Sequence, residues 1–242
     1  MCYKYTKMEG KYCYEYPHPA VTTDCVVFGY DANDGLSVLL IKRGVEPFKD
    51  CWALPGGFVR IDEEVNDCAK RELNEETGLQ LSHLSDLKEL GCYSGVDRDP
   101  RERVITIAFY QLVRKSDVKG GDDAKEARWF PVGNLPEFSF DHKTIVMDAI
   151  ERLKRDIYFE PIGFNILPEV FTMPQLYKLY MSILQVDFDR RNFSNKMLKL
   201  GILDVVGERP EDAASRIPIQ YSFNRERYCA LKQDKKAFRL EF

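Results

Sequence analysis

The chain has 242 residues, 44% of them hydrophobic and 31% charged, with a formal net charge of −4 at pH 7, a balance that excludes a disordered or fibrous protein. No apolar run approaches the roughly 20 residues of a membrane span and no signal-peptide core is visible, so a cytoplasmic protein without a membrane partner is expected. Seven scattered cysteines lack any Cys-x-x-Cys pair and the three histidines lack ligand spacing, which argues against a disulfide framework and against structural zinc.

The first predicted elements are two strands. Val21 to Tyr30 is rich in β-branched and aromatic residues, Asp31-Ala-Asn-Asp-Gly35 is turn chemistry, and Leu36 to Arg43 alternates, so the three read as a hairpin. The short Trp52-Ala-Leu-Pro segment leads into Gly56–Gly57, a tight loop whose backbone can approach a ligand closely. A helix follows. Its inward stripe begins with Val65, Cys68 and Ala69 but arrives at Glu72, Glu75 and Glu76 before Gly78, a C-cap candidate. Three acids on a stripe that starts apolar repel one another unless a cation sits among them. Mg²⁺ or Mn²⁺ fits, because such ions take carboxylate oxygens and complete their shell with waters and a phosphate substrate. Charge runs in general are solvated helix ends; here the spacing argues otherwise.

That spacing resembles the Nudix box, G-x5-E-x7-R-E-U-x-E-E-x-G-U with U aliphatic. Every specified position is filled, by Gly57, Glu63, Arg71, Glu72, Leu73, Glu75, Glu76, Gly78 and Leu79. The resemblance implies an α+β fold, a mixed sheet sandwiched between helices. It also implies attack of water on a nucleoside diphosphate linked to a second group. Glu72, Glu75 and Glu76 would be metal ligands, joined by the carbonyl of Gly56, with Glu63 and Arg71 orienting them and Gly57 beside the ligand. The general base varies within the family; Glu72 and Glu126 are the candidates.

Further along, Tyr93-Ser-Gly-Val-Asp-Arg-Asp-Pro-Arg-Glu-Arg103 places three arginines in a loop, and guanidinium forks pair bidentately with phosphate. Its Arg-Asp-Pro-Arg is similar to a segment of ADP-ribose-type Nudix proteins, which nominates Arg98 and Arg101 as ligand contacts. Val104 to Val113 reads as a buried strand and Trp129-Phe-Pro-Val as a shorter one. Asp141 is placed to cap a helix from His142 to about Arg155, with Ile145, Ala149 and Leu153 facing inward. A first domain, 1–157, ends there.

The remainder, 158–242, is mildly basic on an otherwise acidic chain. Thr172-Met-Pro-Gln175 is a capping box, and Leu176, Leu179, Tyr180, Ile183 and Leu184 supply a helical stripe. A second helix runs from Asp189 to Gly201 with Phe193, Met197 and Leu200 inward. Arg190, Arg191, Asn192, Asn195 and Lys199 are the residues expected to meet DNA, since Asn and Arg read base edges. Two strand-like runs, Ile202 to Val206 and Ile217 to Phe223, flank a polar loop with Arg209 and Arg216. A hairpin after a helix-turn-helix is a winged helix.

The order Pro161-Ile-Gly-Phe-Asn-Ile-Leu-Pro, Phe171-Thr-Met-Pro-Gln-Leu-Tyr and Asp189-Arg-Arg-Asn-Phe is similar to the Nudix-related transcriptional regulators, the NrtR family. That resemblance implies a Nudix domain sensing a nucleotide-sugar or sugar effector, joined to a small winged helix that binds operator DNA as a homodimer. Many such regulators carry a broken box; this chain keeps every acid. The expectation is therefore an effector-responsive DNA-binding regulator retaining Mg²⁺-dependent pyrophosphohydrolase activity. The alternative is an ADP-ribose pyrophosphatase-type hydrolase whose C-terminal module only packs or dimerises.

Overall fold

A computed structural model of the chain describes residues 16–80, 87–121, 124–161, 166–207 and 218–233. The expected hairpin forms from β1 (Ala20–Asp31) and β2 (Gly35–Arg43), antiparallel with Phe28 opposite Val38. The Asp31 carboxylate closes the turn by accepting the Asn33 and Asp34 N–H groups at 2.7 and 3.2 Å. Strand β1 is buried on both faces from Thr22 to Tyr30, so it must be central. It is: β5 (Val104–Arg114) runs parallel to it, and β4 (Lys88–Tyr93) pairs antiparallel with β5. On the other side β2 pairs with the two-residue β3 (Trp52–Ala53) and with β6 (Ala124–Pro131). The result is a six-stranded mixed sheet.

Each face of the sheet takes one helix. Helix α1 (Val65–Thr77) lays Ala69 and Leu73 on Cys25, Val27, Leu39 and Phe109. It stops at Gly78, whose left-handed φ of 69° suits only glycine without strain. Helix α2 (His142–Asp156) lays Ile145, Val146, Ala149, Ile150 and Leu153 on the opposite face, against Val26, Phe28, Val38, Leu40, Ala108 and Tyr110. Asp141 holds the N-cap position, yet its side chain makes no cap bond; it is drawn to Arg98 instead.

Three departures from the sequence reading have local causes. Strand β4 is half-exposed, carries Gly91 at a bulge and so lacks a clean alternation. Strand β6 starts five residues before Trp129, because Lys125, Glu126 and Arg128 disguise it as loop. Helix α5 (Arg225–Gln233) begins with Arg-Glu-Arg and has too few apolar residues to announce itself as a helix in the sequence.

The C-terminal module is a small winged-helix type. Helix α3 (Met173–Leu184) starts at the predicted capping box, in which Gln175 Oε1 accepts the Thr172 N–H at 2.7 Å. Helix α4 (Arg190–Lys199) is capped by Asp189, whose carboxylate accepts the Asn192 N–H at 2.6 Å. Strands β8 (Leu203–Val206) and β9 (Gln220–Phe223) form the hairpin, and β7 (Phe171–Thr172) adds a third strand beside β9. Arg209 and Arg216 lie outside the described residues. Phe193 is the centre of this module, fully buried with its ring 5.5, 5.2 and 5.4 Å from those of Tyr177, Tyr180 and Phe188. Truncating such a side chain removes its burial and leaves a cavity. Phe193→Ala should cost about 3–5 kcal/mol in urea unfolding, whereas Leu198→Ala, on the 45% exposed side of the same helix, should stay within about 0.5 kcal/mol. Equal effects would place the module's core elsewhere.

Candidate functional site

The second half of α1 is organised by one guanidinium. Arg71 grips Glu63 with two bonds, Nε to Oε2 at 2.9 Å and Nη2 to Oε1 at 2.6 Å, while Nη1 reaches Glu72 at 2.7 Å and Glu75 at 3.0 Å. This fork holds the Glu63 carboxyl down at about 2, and the acids in turn raise the arginine. Glu76 is treated differently. It is 7% exposed, accepts the Gly56 N–H at 2.8 Å, and makes no ion pair among the described residues. Burial pushes its carboxyl up to about 8, against the pull of the Gly56 N–H and with a further push from Glu72.

Gly56 and Gly57, where the box begins, are there for proximity. A Cβ on Gly56 would lie 2.0 Å from the Thr23 carbonyl oxygen, and one on Gly57 would lie 2.4 Å from Glu72 Oε1. The loop therefore presses against β1 on one side and the acids on the other. Backbone bonds from Thr23 N–H to the Gly57 carbonyl (2.9 Å) and from Cys25 N–H to the Pro55 carbonyl (2.8 Å) lock it there.

Between loop, helix and sheet edge lies a cavity of about 390 Å³. Its lining includes four acids, Asp24, Glu72, Glu76 and Asp99, five arginines, Arg43, Arg60, Arg71, Arg98 and Arg101, and the rings of Phe58 and Phe140. Acids and arginines lining one cavity suit a ligand carrying phosphate beside a cation. Among the described residues no three acidic, imidazole or thiol groups form a ready-made cage. The donor set still fits Mg²⁺ or Mn²⁺, which keep waters and use few carboxylates: Glu76 is a buried acid without a cation of its own, next to Glu72.

The residues nominated from sequence fall into two groups. Glu72, Glu76, Gly56, Gly57, Arg71, Arg98 and Arg101 all line the cavity, with Glu63 and Glu75 tied to it through Arg71. Arg98, however, is committed internally: Nη2 meets Asp24 at 3.2 Å and Nη2 and Nε meet Asp141 at 2.8 and 3.0 Å, with the side chain 5% exposed. Arg101 pairs with Asp99 at 2.7 Å and lies over the Phe58 ring at 5.2 Å. Glu126 stands outside the cavity lining on β6, paired with Arg128. Sequence reasoning passed over Asp24, Arg43, Phe140 and His142. A lone acid in the buried run of β1 was a signal for the first of them. On α4, Arg191, Asn192, Asn195 and Lys199 are exposed opposite buried Phe193 and Met197, and Arg190 covers the Tyr177 ring at 5.3 Å.

The NUDIX domain model matches residues 18–149. The chain belongs to the Nudix family. The NrtR DNA-binding winged helix domain model matches residues 163–223, so this Nudix protein has the NrtR-like order of domains. It is 47% identical over 133 residues to an ADP-ribose pyrophosphatase of Methanocaldococcus jannaschii, covering 55% of this chain and 74% of that one. Over 221 residues it is 28% identical to the ADPR responsive transcriptional repressor NtrR of Acinetobacter baylyi, covering 87% of each. A MutT/nudix family protein from Enterococcus faecalis superposes with a TM-score of 0.74 at 30% identity, covering 88% of this chain and 89% of that one. Shewanella oneidensis NrtR complexed with a 27mer DNA gives 0.66 at 25% identity, with 86% and 95% covered. Its Nudix domain complexed with ADP ribose gives 0.52 at 28%, with 57% and 90% covered.

The Glu76 environment has a measurable consequence. An unfolded chain releases this proton near 4.5 and the folded one holds it to about 8, so the native state binds more protons across that window and stability falls as pH rises through it. In metal-free protein Glu76→Gln should flatten this slope in urea unfolding; an unchanged slope would show that Glu76 ionises freely.

Proposed function

We propose that this Nudix protein is an effector-responsive, DNA-binding regulator. Its first domain, 1–157, binds ADP-ribose or a related nucleotide sugar and hydrolyses the diphosphate, and its second, 158–242, binds operator DNA as a homodimer. The observation that carries the reading is the undamaged acid cluster: Arg71 holds Glu63, Glu72 and Glu75 in one array while Glu76 is buried beside them. The Gly56 carbonyl and Glu72, Glu75 and Glu76 would hold Mg²⁺ or Mn²⁺, which supplies charge neutralisation at phosphoryl oxygens and an acidified water.

The chain's own groups do the rest. Arg43, Arg60 and Arg101, which line the cavity, draw the phosphates into it. Of the two candidate bases, Glu72 faces the cavity and Glu126 does not, which favours Glu72 as acceptor of the water's proton. On α4, Arg190, Arg191, Asn192, Asn195 and Lys199 form the surface offered to DNA, with Phe193 and Met197 anchoring the helix from behind. Support for this half comes from the printed description of the Acinetobacter relative as an ADPR responsive repressor and from the NrtR–DNA likeness.

The 47% identity to an archaeal ADP-ribose pyrophosphatase favours a second reading, a hydrolase whose C-terminal module only packs or dimerises. One variant tests the hydrolysis both readings share, and a second separates them. A Mg²⁺- and Mn²⁺-dependent screen over ADP-ribose, other nucleotide sugars and dinucleotides should give turnover that Glu76→Gln lowers roughly 10²–10³-fold, the size of losing one transition-state stabilising group. Arg191→Ala should weaken operator binding at fixed salt by about 1–3 kcal/mol without touching hydrolysis. DNA affinity unmoved by Arg191→Ala would remove α4 as the recognition helix, and absence of turnover in folded, metal-loaded protein would leave the Nudix domain as a sensor.

A further inference from the structure

His142 is 5% exposed at the floor of the cavity, where the first turn of α2 meets β1 and the loop before the acids. Its Nδ1 accepts the Leu54 N–H at 2.8 Å, so in the neutral ring the proton sits on Nε2, facing Asp24 Oδ1 at 3.3 Å. Burial pushes the imidazole below its ordinary value, which keeps it neutral. Asp24 in turn receives Arg98 Nη2 at 3.2 Å, and Arg98 is anchored on Asp141 through two bonds. The Leu54 bond thus sets the tautomer of the ring, and its Nε2 side lies beside the Asp24 carboxylate.

What the ring holds is the start of the box. Leu54 is 2% exposed, and without the imidazole its N–H would be a buried donor with no acceptor. Two residues on, the Gly56 N–H meets Glu76 Oε2 at 2.8 Å. The Pro55 and Gly57 carbonyls dock this loop on β1 from one side; Leu54 N–H to His142 docks it from α2. A histidine that merely filled space would not need to accept a buried backbone N–H at 2.8 Å.

We propose that His142 is the positioning residue of the Leu54–Gly57 loop: Asp24, steadied by Arg98 and Asp141, keeps the Nε2 proton in place, and the bare Nδ1 fixes the loop so that Gly56 meets Glu76. Its consequence for divalent-cation binding rests on the function proposed above, while the geometric part does not. The ring does not touch the reacting atoms; it acts through the loop, as partners behind metal ligands do.

The test compares the full chain with His142→Asn, His142→Gln and His142→Leu. An Asn carbonyl can stand where Nδ1 stands, a Gln amide reaches the Nε2 position instead, and Leu offers neither. Imidazole ¹⁵N NMR of the parent should show Nε2 protonated and Nδ1 bare; a protonated Nδ1 overturns the proposal. Amide exchange at Leu54, the Gly56 amide shift, and Mn²⁺ titration followed by electron paramagnetic resonance are then read in parallel. His142→Asn should keep Leu54 protection and Mn²⁺ affinity within about threefold, while the Gln and Leu variants lose protection, shift Gly56 and weaken Mn²⁺ roughly 10–100-fold. Unchanged Leu54 and Gly56 amides in the Gln and Leu variants overturn the proposal, and so does equal loss in all three, which would be packing alone. Should His142→Leu fail to fold, the Asn and Gln pair decides. A parent that binds no Mn²⁺ while the amides respond as expected sinks the metal reading and leaves the positioning role standing.

Discussion

Four glutamates on and beside one short helix are tolerable only because a single guanidinium sits among three of them. Arg71 makes bonds to Glu63, Glu72 and Glu75 from one side chain, which a lysine point charge could not arrange in a plane. The same helix must seat Ala69 and Leu73 on the sheet. Its apolar half therefore decides where the acids stand, and Arg71 decides how they are spaced. Glu76 is the exception that gives the site its character. It is buried and accepts the Gly56 N–H, and burial favours its protonated form against the pull of that N–H and of the Arg43 charge.

That arrangement reaches back into the sheet. An aspartate in a fully paired central strand is costly unless neutralised, and Asp24 is met by Arg98 and His142. Arg98 belongs to the loop before β5 and Asp141 and His142 to the start of α2, so one buried charge ties the sheet, the loop and the second helix to the cavity floor. Asp141 illustrates the trade. By position it is a helix cap, yet its carboxylate serves Arg98, and α2 begins without that cap bond. A capping bond is worth about 1 kcal/mol, less than the cost of leaving a buried arginine half-answered.

How much of this was legible beforehand depended on whether the signal was local. The hairpin of β1 and β2, the Nudix helix with its glycine stop, and α3 with its capping box follow from periodicity and turn chemistry within a few residues. Strands β4 and β6 were missed or shortened because their polar faces carry lysine, glutamate and arginine, and pairing, not composition, makes them strands. The acids of the site were visible through their spacing. Asp24 and His142 were not, since they lie 118 residues apart in sequence and meet only once the sheet has closed. Arg98 shows the converse: a loop arginine that reads as a phosphate ligand is, once folded, answered by two carboxylates of its own chain.

The two modules share one continuous apolar core, which limits how a ligand in the cavity could act on α4. Ile157, Ile166 and Leu167 are buried where the chain passes between them, and Arg114 at the end of β5 donates to the Ile166 and Leu167 carbonyls, to Leu167 at 2.9 Å. Asp156, at the end of α2, receives Tyr110, Arg152 and Lys88, and Lys178 of α3 bonds the Ala32 carbonyl in the β1–β2 turn. A free hinge in this stretch would have to break several of these bonds at once. Ligand binding can shift DNA affinity only through a difference in its own affinity for two arrangements. Within one chain, packed in this way, the second arrangement costs buried contacts; between two copies of the chain it need cost none of them. For a regulator built as proposed here, an effector would therefore act on operator affinity at least cost through the relation between protomers.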